Sequence, residues 1–424
     1  MSETDSPRDL LLWGATGVVG RLVAEDLTER YGPAELPLTL GGRNERRLRR
    51  LESRLCERTD DWDELPVVVG DATDADRMRE VAAETDVVCT TVGPYTTYGT
   101  PLVAACLEAG TDYCDLTGEV NWVRETVDRF HDRAAERGVR IVHCCGFDSI
   151  PADLGTLLVQ STAIESHGAA CDLVRVYLEE GRGGVSGGTL ASGAALFEAA
   201  SSDPIARRTL RNPHSLAPRG ERHGIDSGGR RGPGFDSLRA AWTAPSPMTV
   251  VNERVIHRSN ALLDYPWGRE FEYEESVPTG RGASGALRAA GLTAGMGLAT
   301  GAMAVGPTRE ALQRFVFPDP GEGPSSAEIE NGHFTVRVLG RGTGEDGPFV
   351  VESRIGADRD PGYGATARML GEAARCLLRG DVDSPLDGGV LTPASGIGQP
   401  LAEGLRRAGL TVAVEEWAGP KGQP

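Results

Sequence analysis

The sequence predicts an α/β fold: an N-terminal doubly wound parallel sheet over 8–152, then a change of pattern that marks off residues 153–356 and a C-terminal segment, 357–424. Three observations predict it. Apolar strand-like runs alternate with helical stretches through residues 8–150, the pattern of a parallel sheet wound on both faces. Gly14, Gly17 and Gly20 stand where the first run meets the first helix, the setting in which a glycine triplet carries meaning. From about Leu154 the alternation lapses into longer runs separated by loops.

The elements follow in order. Strands are expected at Asp9–Trp13, Leu36–Leu40, Pro66–Val69, Asp86–Thr91, Thr111–Asp115 and Arg140–Cys144, because each is a short apolar run bounded by turn residues. Helices fill the gaps: one to about Arg30, an arginine-rich one to about Arg58, one after Thr73, then Pro101–Ala109 and Val120–Arg137. In the second domain a helix from Leu154 leads to a strand at Asp172–Glu179. A helix near Thr189–Ala200 and strand-like pieces over Ala241–Arg258 follow. Stretches rich in Arg, Gly, Pro and Ser predict long loops at 205–236 and 318–332. His333–Leu339 and Phe349–Ile355 read as paired antiparallel strands. Tyr363–Leu378 and Leu401–Ala408 read as helices, and Leu410–Glu416 as the last strand.

The chain has 424 residues, 44 basic and 62 acidic, a net charge of −18. Such a surface does not coat a nucleic-acid backbone, and 39% hydrophobic residues exclude a wholly disordered chain. Lys421 is the single lysine; arginine supplies the remaining basic residues. Acid excess with arginine over lysine fits a GC-rich genome with an ordinary solvated surface. It also fits work at high cytoplasmic salt, where screening tolerates self-repulsion, and a halophilic source is the expectation. Residues 1–9 are polar and acidic, unlike a signal peptide, and the eight cysteines form no CxxC pair. Free thiols in a reducing cytoplasm are expected, and no metal site.

The glycine turn carries the chemistry. Gly14, Gly17 and Gly20 let the backbone bend sharply and approach a pyrophosphate. The N–H groups of Thr16, Gly17 and Val18, with the helix dipole behind them, favour its charge. The end of the second strand selects the nucleotide. NAD sites place an acidic residue there; here stand Gly41, Gly42, Arg43 and Asn44, and a guanidinium suits a 2′-phosphate. NADP is therefore expected, with Arg43 and Asn44 at the ribose and Arg46 and Arg47 solvating a helix start. Asp71, after the third strand, is placed for the adenine side or as a helix cap. Gly93 and Pro94, after the fourth, are placed for the ribose or nicotinamide, or as turn residues. Candidate proton donors are Tyr95, Tyr98 and Asp115, with Glu119 and Asp148 at the same sheet edge. His143 lies in an apolar strand and reads as a core histidine.

Together these motifs resemble the saccharopine dehydrogenase-like oxidoreductases, in the branch containing the trans-acting enoyl reductases. The resemblance rests on Gly14–Gly20, Gly42-Arg43-Asn44, Thr91–Tyr95, Tyr98-Gly99, Asp115–Glu119 and Cys145–Pro151. Gly183–Thr189, Asp360–Gly364 and Gly388–Pro393 add to it. It implies an NADP-binding Rossmann domain, a second α/β domain over 153–356 for substrate or dimerisation, a C-terminal segment, 357–424, that packs back on the first, and hydride transfer, with reduction of an enoyl or related double bond in a hydrophobic substrate. The alternatives are a non-catalytic nucleotide-binding or membrane-associated protein, and a saccharopine-type amino-acid dehydrogenase; no set of substrate-binding arginines can be matched for the last.

Residues 289–306 carry no charge and are rich in Gly, Ala and Thr. Gly291/Gly295 and Gly297/Gly301 make two small-xxx-small pairs. With little apolar area per residue, the segment is expected as a helix buried at a domain or subunit contact. A lipid-facing helix is the alternative. The expected setting is cytoplasmic, with peripheral membrane contact and a homodimer as open possibilities.

Overall fold

The computed structural model describes residues 9–182, 193, 198–224, 232–309, 324–417 and 419. The Gly183–Thr189 motif and most of the expected helix 189–200 lie outside the described residues.

The first sheet holds the strands Leu10–Trp13 (β1), Leu38–Gly42 (β2), Val67–Val69 (β3), Val87–Thr90 (β4), Asp112–Asp115 (β5) and Arg140–Val142 (β6). Between them run the helices Val18–Arg30 (α1), Glu45–Arg58 (α2), Ala75–Ala83 (α3), Tyr95–Ala109 (α4) and Val120–Arg137 (α5). All pairs are parallel; Leu12 is in register with Leu40 on one side and Cys89 on the other. β1 is buried along its whole length because helices cover both faces.

The sheet has a seventh strand, Gly389–Leu391, paired with β6. The chain's last part therefore returns to the first domain. Helix Thr366–Arg379 packs on α1, β4 and β5. Buried polar contacts fix it: the Tyr31 hydroxyl donates to Glu372 at 2.6 Å, Arg30 reaches the same carboxylate at 2.5 Å, and Arg368 meets Asp26 at 3.0 Å.

Helix Ile150–His167 (α6) leads into the second sheet. Its strands are Cys171–Arg182 (β7), Gly234–Asp236 (β8), Ala241–Pro245 (β9), Glu272–Gly280 (β10), His333–Gly344 (β11), Gly347–Ala357 (β12) and, with Gly389–Leu391 as β13, Thr411–Glu416 (β14). The order is β14-β12-β11-β7-β10-β9-β8, with β7 and β10 parallel and the other pairs antiparallel. α6 packs across β11 and β12. Gly155 allows this approach, since a Cβ there would lie 2.7 Å from Val338.

The structure departs from the sequence expectation in several places. The first expected loop contains a helix, Pro204–Arg211 (α7), capped by Asp203 with Pro204 in its first turn, and strand β8. The second contains a short helix at Ser326–Glu330, closed by a capping box between Ser325 and Glu328. Only Ala241–Pro245 of the stretch 241–258 is strand. Thr249–Leu262 (α8) is a helix buried almost all round, so no amphipathic period marks it. The largest departure is Gly282–Ala304 (α9). It packs by its first turns against β9 and β10 and then leaves the body, with only Gly285 and Ala289 buried. Leu287 is 75% and Leu298 77% exposed, and Gly291, Gly295, Gly297 and Gly301 face open space. The expected burial at a domain contact is not found: a Gly/Ala surface gains little by packing against its own chain.

Candidate functional site

β1 ends at Trp13, and the chain turns through Gly14 at φ +89°. The turn is held from two sides. The N–H groups of Gly14 and Ala15 donate to the Gly41 carbonyl of β2, at 2.9 and 3.1 Å. The Thr91 hydroxyl, just past β4, donates to the Gly14 carbonyl at 3.2 Å. Gly20 closes the cradle from below, since a Cβ there would sit 2.2 Å from that carbonyl. α1 opens on Gly17 without a side-chain cap and without an acidic residue in its first turn. Its free N–H groups and positive end point at the sheet's carboxyl edge, as a bound pyrophosphate requires.

At the end of β2, Arg43 is exposed, and Asn44 caps α2 by accepting from Arg47 N–H at 3.0 Å. Asn44 thus has a structural task besides any nucleotide contact. Beside it lies a cleft of about 200 Å³ lined by Thr16, Arg21, Arg47, Arg50, Leu51 and Arg54. Sequence reasoning gave Arg47 to solvation and passed over Arg21, Arg50 and Arg54. The recoverable signal was helical spacing: Arg47, Arg50 and Arg54 recur every three or four residues on one face of α2. Asp71 is exposed past β3 and accepts from the N–H and hydroxyl of Thr73, at 2.9 and 2.7 Å. Those bonds, with Arg43 nearby, hold its carboxyl below the ordinary range. It shapes a turn; the cap of α3 is Asp74.

Past β4, Gly93 and Pro94 are exposed at the same edge. α4 begins at Tyr95, six residues before the expected start. The Glu119 carboxylate, 24 positions on, accepts the N–H of Tyr95 at 2.8 Å and of Thr96 at 2.9 Å. A cap delivered from that far leaves no local trace in the sequence.

The three candidate donors fall into two groups. Tyr95 is buried, stacked on Trp122 at 5.4 Å, and its hydroxyl donates to the Thr90 carbonyl at 3.2 Å. Burial and the Asp115 charge push its phenol far above the ordinary value. Asp115 is fully buried. It accepts from the Tyr113 hydroxyl at 2.9 Å and the Thr117 N–H at 3.1 Å, and shares a 2.7 Å bond with His143 Nδ1. His143 Nε2 in turn meets the Thr126 hydroxyl at 2.9 Å, so the core-histidine expectation fits its place. Tyr98, one turn into α4, is half-buried at the surface, and among the described residues its hydroxyl has no hydrogen-bond partner. Asp148 is part-exposed beyond β6, next to Ser149, which opens α6. Among the described residues no group of three or more His, Cys, Asp or Glu could hold a metal ion.

Known proteins resemble this chain in three ways. Residues 10–142 match the family profile described as the saccharopine dehydrogenase NADP binding domain. A Mycobacterium tuberculosis protein, provisionally named as a trans-acting enoyl reductase, is 39% identical over 422 residues, covering 97% of this chain and 98% of its own. Proteins named trans-acting enoyl reductase from M. tuberculosis and Mycobacterium ulcerans are each 36% identical, over 97% of this chain and 99% of theirs. Apo saccharopine dehydrogenase (L-Glu forming) from Saccharomyces cerevisiae superposes with a TM-score of 0.52 at 15% identity. That match covers 97% of this chain and all of the yeast one, and shows a shared fold. Residues 10–142 are an NADP(H)-binding domain, and the uncapped end of α1 behind the glycine cradle fits that cofactor.

Proposed function

The chain belongs to the trans-acting enoyl reductase family, and from that premise we propose that this oxidoreductase uses NADPH to saturate an enoyl or related double bond in a hydrophobic substrate. The carrying observation is one sheet edge that joins the uncapped end of α1, the exposed Gly93-Pro94 turn and the half-buried Tyr98. NADPH supplies the hydride when bound. The protein's part is to hold, orient and protonate. Thr16 and Val18 offer the pyrophosphate backbone N–H groups, and Gly14, Gly17 and Gly20 give it room. Arg43 and Arg47 meet the 2′-phosphate with Asn44 beside them, and Asp71 stands on the adenine side. Gly93 and Pro94 present backbone to the nicotinamide half.

Hydride addition leaves the neighbouring carbon needing a proton. We assign its delivery to Tyr98, because Tyr95 and Asp115 are closed inside a hydrogen-bonded core. Those two position the ends of β4 and β5. Tyr98→Phe is expected to lower turnover about 100-fold or more with NADPH affinity unchanged. Unaltered turnover would move the proton source elsewhere.

One observation favours a second reading, amino-acid dehydrogenation of the saccharopine type. Arg124, Arg208 and Arg222 line a cleft between α5 and α7, as a substrate with several carboxylates would need. NADP reduction on adding saccharopine separates this reading from the first.

We also propose a cytoplasmic protein that touches a lipid surface through α9. Among the described residues no helix is long and apolar enough to cross a membrane. α9 instead offers exposed Leu287, Leu292 and Leu298, and residues 277–309 contain Arg281, Arg288 and Arg309 but no acidic side chain, in a chain of net charge −18. Apolar residues flanked by cations suit an anionic interface. Pairing of two copies through the same helix is the competing outcome. Adaptation to high salt is a further proposal; it rests on charge alone, and the relatives named above are mycobacterial.

A further inference from the structure

Away from the cofactor edge, a cleft of about 480 Å³ opens between α5 and α7, its wall formed by Arg124, Arg208 and Arg222 beside Ile205, Thr209 and Ser215. In a strongly acidic chain this corner is cationic. Arg124, Arg219 and Arg222 converge on one carboxylate, Asp128; Arg124 lies 2.7 Å and Arg219 3.5 Å from it, and Arg222 also bonds it. Behind the wall, Arg254 and Arg258 are buried; their terminal nitrogens donate to backbone carbonyls of Leu210, Val250, Leu216 and Val390, and among the described residues the Arg258 Nε has no partner. The crowding disfavours further positive charge here. Burial and neighbouring guanidiniums lower Arg222, and burial with Arg222 lowers Arg258 to about 9.

In the lining of the cleft itself, two residues have donors to spare. Arg208 is exposed on α7 and has no ion-pair partner among the described residues. Ser215 is 1% exposed, and among the described residues its hydroxyl has no hydrogen-bond partner, although its carbonyl accepts from Arg124 at 2.6 Å. A buried hydroxyl without a partner weakens the free protein, and a ligand oxygen would satisfy it.

We propose that this cleft is a phosphate-ester subsite. Arg124, Arg208 and Arg222 take the phosphate oxygens, as planar guanidiniums do well. Ser215 donates to one of them, and Ile205 meets the arm attached to the phosphate. The volume exceeds that of a phosphate alone and leaves room for such an arm. The cleft is linked to the cofactor edge through α5. Arg124 stands five residues beyond Glu119, about 7.5 Å along α5, and Glu119 holds the first N–H groups of α4. That the tethered group reaches the nicotinamide rests on the reductase reading; the phosphate site itself does not.

The test uses the full chain saturated with NADPH, which fills the cofactor cleft first. Calorimetric titration is made with 4′-phosphopantetheine, with dihexanoyl phosphatidic acid, and with glutarate as the carboxylate control. A phosphate ester is expected to bind at least ten-fold more tightly than glutarate. Tighter phosphopantetheine identifies a soluble carrier arm, and tighter phosphatidic acid a lipid headgroup. Arg208→Ala should weaken binding at least ten-fold without changing NADPH affinity. Ser215→Ala should raise the melting temperature of the free protein yet weaken phosphate binding, two effects a purely structural serine would not combine. No phosphate binding, stronger glutarate binding, or unaltered binding by both variants overturns the proposal. Enoyl turnover without phosphate binding would overturn the subsite and leave the reductase reading; phosphate binding without enoyl turnover would do the reverse.

Discussion

The 2′-phosphate that separates NADPH from NADH carries nearly two negative charges at neutral pH, so the residues that meet it decide selectivity. Arg43 stands exposed just past β2, and Arg47 lines the neighbouring cleft from the first turn of α2. A hydrogen bond to a charged group contributes about 1.5–3 kcal/mol. Arg43→Ala and Arg47→Ala should therefore each weaken NADPH by about 10- to 100-fold and leave NADH within about two-fold. Fluorescence titration of both cofactors checks this, and equal losses for both would remove the residue from the role. At this scale the sequence shows residue types and chain positions, but not where side chains point. Arg43 could be placed because it follows a strand end directly. Tyr95 and Asp115 have the right chemistry at the right edge, yet the fold turns both inward, and only the contacts with Trp122, Tyr113 and His143 reveal it.

Among elements, the glycine turn makes a sharp contrast available. A Cβ at Gly20 would lie 2.2 Å from the Gly14 carbonyl, inside the fold, whereas one at Gly17 would lie 3.3 Å from the same atom, and Gly17 is exposed. Gly17→Val should abolish NADPH binding with native far-UV circular dichroism and nearly native melting. Gly20→Val should instead lower stability by about 1–3 kcal/mol or more through overpacking, read by denaturant titration. If both variants merely unfold, the turn is a structural element and the phosphates bind elsewhere. α9 gives the second prediction at this scale. In flotation with vesicles containing anionic lipid, the wild type should rise with the vesicles, and Leu287→Ser with Leu298→Ser should stay below. Co-migration of two copies without vesicle binding would assign the helix to a homodimer. Of the six parallel strands, β1 and β4 were the most legible, because burial along their whole length writes them as continuous apolar runs. The exposure of α9 was not, because an uncharged run reads as buried until the missing neighbours are seen. Nor was α8, whose Arg254, His257 and Arg258 are buried by partners from distant segments.

For the whole molecule, a net charge of −18 opposes compaction through self-repulsion, and salt screens it. If the surface is salt-adapted, the melting temperature should climb steadily from 0.1 to about 2 M KCl, well past the range in which simple screening is complete. A plateau below about 0.5 M would assign the acidity to an ordinary solvated surface. The architecture could be inferred over most of its length, since the strand–helix alternation and the paired strands β11 and β12 leave local patterns, while the return of the C-terminal segment was implied by the family resemblance alone. What those patterns cannot carry is the meeting of remote parts, such as Arg124 with Ser215, or Glu119 with the start of α4. The central claim, that this molecule delivers a hydride from NADPH to a carbon–carbon double bond, has a direct measurement. The purified chain is incubated with NADPH deuterated at the transferable nicotinamide position and a long-chain enoyl thioester, and the product is weighed by mass spectrometry. The account predicts a saturated product carrying one deuterium, formed in step with NADPH oxidation and strongly reduced in Tyr98→Phe. NADPH that binds but is not consumed with the enoyl thioester, while saccharopine drives NADP reduction, would contradict it.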